Sequence, residues 1–199
     1  SADKLLSLRI ALKMYYPEEV KRFLDKVVFL DKTSKELGYT GQYYRDSKLI
    51  ELCKDLNHTT TEHELAHART DGLSDIFVKK WQEINDKGVP YDEAQKLATK
   101  DEQGYFMRWT SNGKWNTSLY GYARPYGVTN IREDIATFTE IIVFLRTTSL
   151  EVYFNWRDED FKKYLPIYIA KLQLIYKFGL ARKEDFERIM TYFKLSEFH

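Results

Sequence analysis

Apolar residues recur through Leu5, Leu6, Leu8, Ile10, Leu12 and Met14 without Gly or Pro, which predicts a first helix. Pro17-Glu18-Glu19 predicts the start of a second, with Pro in the first turn and acids at the positive end of the dipole. Val27-Val28-Phe29-Leu30 reads as a buried strand. Gly38 and Gly41 mark a loop, and Tyr43-Tyr44 and Leu49-Ile50-Glu51-Leu52 read as one or two short strands. Thr59-Thr60-Thr61 offer capping hydroxyls for a helix through about Arg69.

Ser74-Asp75 restart a helix bearing Ile76, Phe77, Trp81 and Ile84, which Gly88-Val89-Pro90 stops. Residues 91–100 read as a short helix, and 104–128 as a long loop dense in Tyr, Trp, Gly and Asn. A loop of that length is usually functional or disordered, and its aromatic content argues against disorder. Asn130 is placed to cap a helix through about Arg146. Asp158 to Phe178 is helical with a break or kink expected at Pro166, Gly179 is placed as a C-cap, and Glu184 to Phe193 forms the last helix. The expected class is α+β, mostly helical, with a small mixed sheet in the N-terminal third and a single domain over residues 1–199.

Composition narrows the function. Lys+Arg is 31 against Asp+Glu 30, a formal charge of +1, so there is no basic excess for phosphates and a dedicated nucleic-acid binder is excluded. No apolar run reaches the length of a transmembrane helix. Cys53 is the lone cysteine, which excludes an internal disulfide and a thiolate zinc cluster; it is expected to be a small buried hydrophobe. Trp81, Trp109 and Trp115 are expected in the core or a cleft wall, and the charged pairs of 181–188 on a solvated helix face. Ser1-Ala2-Asp3-Lys4 has neither a charged n-region nor an apolar h-region, and no initiator Met precedes it; a mature or trimmed product is the expectation.

The chain has only four histidines, and two fall in His63-Glu64-Leu65-Ala66-His67. On a helix, residues four apart share a face, so the two imidazoles can meet one metal ion. Glu64 lies about 100° further round and can reach a water polarised by that ion, which loses its proton near pH ~7. Small Ala66 and Ala68 allow close packing, and Leu65 points to the opposite, core side. The alternative is a solvated helix with incidental histidines.

A catalytic zinc site needs a third protein ligand and an open position. His58 and His199 are expected at the surface. Glu133, in Tyr126-Gly127-Val128-Thr129-Asn130-Ile131-Arg132-Glu133-Asp134-Ile135-Ala136, is the better candidate, although it also has the spacing to close a capping box with Asn130. Asp134 is a rival ligand or a partner behind one. A phenol can donate to the charge on a tetrahedral intermediate, and Tyr126 is the best placed, with Tyr120, Tyr122 and Arg124 in reserve.

The two motifs together resemble the gluzincin metallopeptidases, most closely the branch of the anthrax lethal factor catalytic domain. There an HExxH helix is followed by a Tyr-Gly-x-Thr-Asn-x-x-Glu segment, matched here by Tyr126, Gly127, Thr129, Asn130 and Glu133. The likeness spans about residues 38–146. It implies a zincin-like fold and one Zn²⁺ held by His63, His67 and Glu133. It also implies Glu64 as general base, Tyr126 facing the substrate carbonyl, and Leu49–Leu52 as the edge strand that pairs with extended substrate. The family's acidic residue four positions after the ligand Glu is Thr137 here.

The implied activity is zinc endopeptidase action on a peptide or protein substrate, with a secreted or extracytoplasmic bacterial location. The alternatives are a non-catalytic binding protein on the zincin scaffold and a bacterial surface metallohydrolase associated with substrate import.

Overall fold

The computed structural model describes all residues except 1, 14, 16, 57, 103, 112–117, 147–148, 151–153, 155–158 and 197–199. Trp115 and His199 therefore lie outside the described residues, as does the side chain of His58. The chain is α+β and divides into two compact units, Ser1–Gly72 and Leu73–His199. No helix among the described residues is long and apolar enough to cross a membrane.

The first unit begins with α1 (Ala2–Lys13) and α2 (Pro17–Phe23), then β1 (Lys26–Phe29) and the short α3 (Ser34–Leu37). Helix α3 was not expected. The Glu36 carboxylate accepts from Thr33 N and Oγ1 at 2.7 and 2.8 Å, and Gly38 ends the helix at φ 79°. Strands β2 (Gly41–Tyr44) and β3 (Leu49–Leu52) form a hairpin, and α4 (His58–Thr70) follows.

The sheet order is β1-β3-β2, with β3 parallel to β1 and antiparallel to β2. Leu49–Leu52 is thus the central strand and not the expected edge. The edges are β1 and β2. Strand β1 is half-buried with Lys26 exposed, not buried as expected, because it has one strand neighbour. Ile50 and Leu52 are wholly buried, as period-2 alternation requires of a strand with one face on a core. Helix α4 packs on β2, β3, α1 and α2. It starts at His58, so Thr59, Thr60 and Thr61 lie inside its first turns rather than ahead of it.

In the second unit, α5 (Asp75–Asp86) is capped by Ser74, whose Oγ accepts from Phe77 N at 3.3 Å. Helix α6 spans Tyr91–Lys96, and a hairpin of β4 (Ala98–Lys100) and β5 (Phe106–Trp109) follows. Residues 98–100 are thus strand, where helix was expected. The aromatic segment 104–128 is only partly loop, because Phe106 and Trp109 are buried by that hairpin and Pro125–Thr129 is a 3-10 helix.

Helix α7 (Ile131–Phe144) is almost wholly buried. Helices α8 (Glu159–Lys163) and α9 (Leu165–Lys177) are separate, with Pro166 in the first turn of α9, where a missing N–H costs nothing. Gly179 follows at φ 74°, and α10 (Lys183–Ser196) closes the chain. Phe77, Trp81, Phe138, Phe154, Phe161, Tyr168 and Phe193 form an aromatic core, many in edge-to-face contact. The charged pairs of 181–188 are not all solvated: Asp185 is buried and accepts from Arg146 Nε at 2.8 Å.

Candidate metal centre

His63, Glu64 and His67 are 8, 7 and 7% exposed, and every residue from Thr61 to Ala68 is buried. The helix that carries the motif is therefore not a solvated one with incidental histidines. Helical spacing puts the two imidazoles side by side: their ring centroids are 4.6 Å apart at 80°, and a ring nitrogen of each lies within 4.8 Å of the other's. Two buried imidazoles at this separation could each offer one borderline nitrogen donor to a single metal ion.

Strand β2 runs against this helix at Thr60 and Glu64. A Cβ on Gly41 would come within 2.8 Å of Thr60 Cγ2 and 2.9 Å of Glu64 Cγ, so only glycine permits the approach. At the helix C-terminus, Asp71 accepts from Tyr43 Oη at 3.0 Å and from Arg45 Nε at 2.8 Å, which ties the other end of β2 to α4. Gly41, expected in a loop, opens β2 instead, and the contacts of Gly41, Tyr43, Arg45 and Asp71 are not legible in the sequence because they depend on the hairpin register. Cys53 is buried as expected, and its thiol donates to Tyr39 O at 2.9 Å.

In the second unit, Asn130 caps α7: its Oδ1 accepts from Arg132 N and Glu133 N at 2.9 and 3.0 Å. Glu133 sits in the first turn and is half-buried. Asp134 turns into the core and is wholly buried. Its Oδ2 accepts from Trp81 Nε1 (2.7 Å), Lys171 Nζ (2.8 Å), Asn85 Nδ2 (3.0 Å) and Tyr91 Oη (3.0 Å). That oxygen is engaged in the interior, and half-buried Glu133 stays the ligand candidate on this turn. Burial pushes the Lys171 ammonium below the ordinary lysine value, against the attraction of Asp134. Burial, with Asp134 beside it, raises the Tyr91 phenol.

The Thr137 hydroxyl, at the position of the family's acidic residue, donates to Asp134 O within its own helix, at 3.0 Å. Tyr126 is half-buried in the 3-10 helix, its ring 5.9 Å from that of Tyr105 and 6.0 Å from the Arg124 guanidinium. The reserve candidates are engaged in structure. Tyr122 Oη donates to Val89 O at 2.7 Å, and Tyr120 is buried between Trp109 and Tyr164. Arg124 Nη2 donates to Glu140 at 2.6 Å, a largely buried pair. Trp81 and Trp109 are core residues, as expected.

Lys171 carries a sequence signal that is easily passed over. It lies on the apolar stripe of α9 with Tyr168, Leu174 and Ile175, a position for a hydrophobe. Compared with models of known families, with curated proteins and with solved structures, the chain matches none.

Proposed function

We propose that the chain is a zinc-dependent metallopeptidase of the gluzincin type, with a zincin-like fold, in which His63, His67 and Glu133 together hold one zinc ion. The observation that carries this reading is the pair of buried imidazoles side by side on α4, with Glu64 between them in sequence and equally buried. The donor set suits the metal: two nitrogens, one carboxylate and no thiolate, since Cys53 is turned to Tyr39 O. Three protein ligands leave a position open, as catalytic zinc requires.

When bound, zinc supplies a Lewis acid that lowers the pKa of water to about 7. Glu64 takes the proton from the attacking water and delivers it to the leaving amine. Tyr126 donates its phenolic hydrogen to the oxygen that gains charge. Asn130 and Asp134 hold the turn that presents Glu133. The substrate is a peptide or protein segment in extended form. Strand β2, the sheet edge that lies on α4, offers main-chain pairing to it.

Zinc stoichiometry and cleavage of a peptide library test the reading together. One zinc per chain and zinc-dependent cleavage are expected. A protein that binds no zinc, or binds it and cleaves nothing, refutes it.

A further inference from the structure

We propose that Lys171 is a positioning residue that locks together the loop leading to Tyr126 and the turn of α7 that bears Glu133. The functional part of this rests on the metal-site reading above. The Lys171 ammonium is wholly buried and makes two hydrogen bonds of 2.8 Å, one to Gly121 O and one to Asp134 Oδ2. Its remaining direction is bounded by the rings of Tyr122, Trp81 and Phe138, at 4.6, 5.0 and 5.9 Å.

The two groups it joins belong to different segments. Gly121 precedes the run Arg124-Pro125-Tyr126, and Asp134 follows Glu133 directly. Helix α9 also grips the loop one turn away: Gly121 N donates to Tyr168 Oη, which donates to Tyr122 O, both at 3.2 Å. The loop is tight there. Tyr120 and Gly121 both have positive φ, 56° and 88°, and a Cβ on Gly121 would come within 2.7 Å of Ile167. Further on, Gly127 lies against α7, where a Cβ would meet Thr137 Oγ1 at 2.9 Å.

Packing alone does not call for a charge at position 171. A buried ion pair is weakly stabilising at best against apolar residues of the same volume, so its value lies in the geometry it imposes. One ammonium with two fixed acceptors sets the distance between the two segments. An apolar side chain would fill the space without setting it.

The test uses K171M in the full chain, with hydrogen exchange of the metal-free protein and zinc titration as readouts. Amide protection is expected to fall about tenfold in both Gly121–Tyr126 and Ile131–Ile135. The zinc Kd is expected to rise at least about tenfold, the usual effect of losing support behind a ligand, at a temperature where the variant is fully folded. A lysine with a merely structural role would lower the thermal midpoint and leave the zinc Kd of the folded protein unchanged.

Should K171M fail to fold, K171M/D134N removes both charges and keeps an amide oxygen for Trp81, Asn85 and Tyr91; the same two losses are expected of it. Unchanged zinc Kd, or loss of protection in only one segment, overturns the proposal. Wild-type protein that binds no zinc refutes the metal site instead, while the exchange experiment still decides whether Lys171 couples the two segments.

Discussion

Gly41 lies against Glu64: a Cβ at residue 41 would stand 2.9 Å from the Glu64 Cγ, and 2.8 Å from Thr60 Cγ2. Real side chains do not tolerate such contacts, so Gly41→Ala forces β2 off α4 or turns Glu64 aside. The expected cost is about 1–3 kcal/mol of stability, as for other overpacked sites. Urea denaturation measures it. If Glu64 is the general base, kcat falls by more than the residual stability explains, with KM for a peptide little changed.

The opposite end of the same strand is held by Tyr43 Oη and Arg45 on Asp71. Y43F removes one hydrogen bond from a partly buried site and is expected to cost about 1 kcal/mol. Arg45 is largely exposed, so R45A is expected to cost less, within the range of surface ion pairs. Equal and large losses in both variants would contradict this ordering.

Arg146 and Asp185 form a further largely buried ion pair, with side chains 13 and 7% exposed, between the end of α7 and α10. Arg188 adds a bond from α10 to Leu145 O. Removing one partner leaves the other charge buried, so D185A is expected to destabilise by roughly 3–5 kcal/mol. A loss below about 1 kcal/mol in urea would show that water replaces the carboxylate without difficulty.

How much of this is legible in the sequence depends on how local the signal is. The His63–His67 pair is legible because helical spacing alone brings residues four apart together. The Asn130 cap is legible for the same reason, since its acceptor bonds Arg132 N and Glu133 N, two and three residues on. The central place of β3 is not, because β1, β2 and β3 follow one another in sequence while the order in space is β1-β3-β2. The strand at 98–100 is hidden for a similar reason: Ala98-Thr99-Lys100 is strand only because 106–109 returns to pair with it. Asp134 and Lys171 are 37 residues apart, and their bond appears in the sequence only as a lysine on an apolar stripe.

Metal removal follows from the proposed site. A ligand that binds only the folded state stabilises it by about 2.7 kcal/mol at a hundred times its Kd. Chelation is therefore expected to lower the thermal midpoint of the wild type, and zinc to restore it. H63A, H67A and E133Q are each expected to lose that zinc-dependent shift. D134N is expected to keep the ion, with weakened affinity, because Asp134 is turned to Trp81, Asn85, Tyr91 and Lys171. A D134N protein that loses zinc entirely while E133Q keeps it would reverse the assignment of the third ligand.

The most direct measurement compares wild type with Glu64→Gln for zinc content and peptide hydrolysis in the same preparation. Glutamine keeps the shape of Glu64 at a buried position of α4 but cannot take a proton. One zinc per chain in both proteins, with hydrolysis lost only in the variant, is the predicted result. Hydrolysis by the variant at the wild-type rate, with zinc bound, would contradict the proposed role of Glu64.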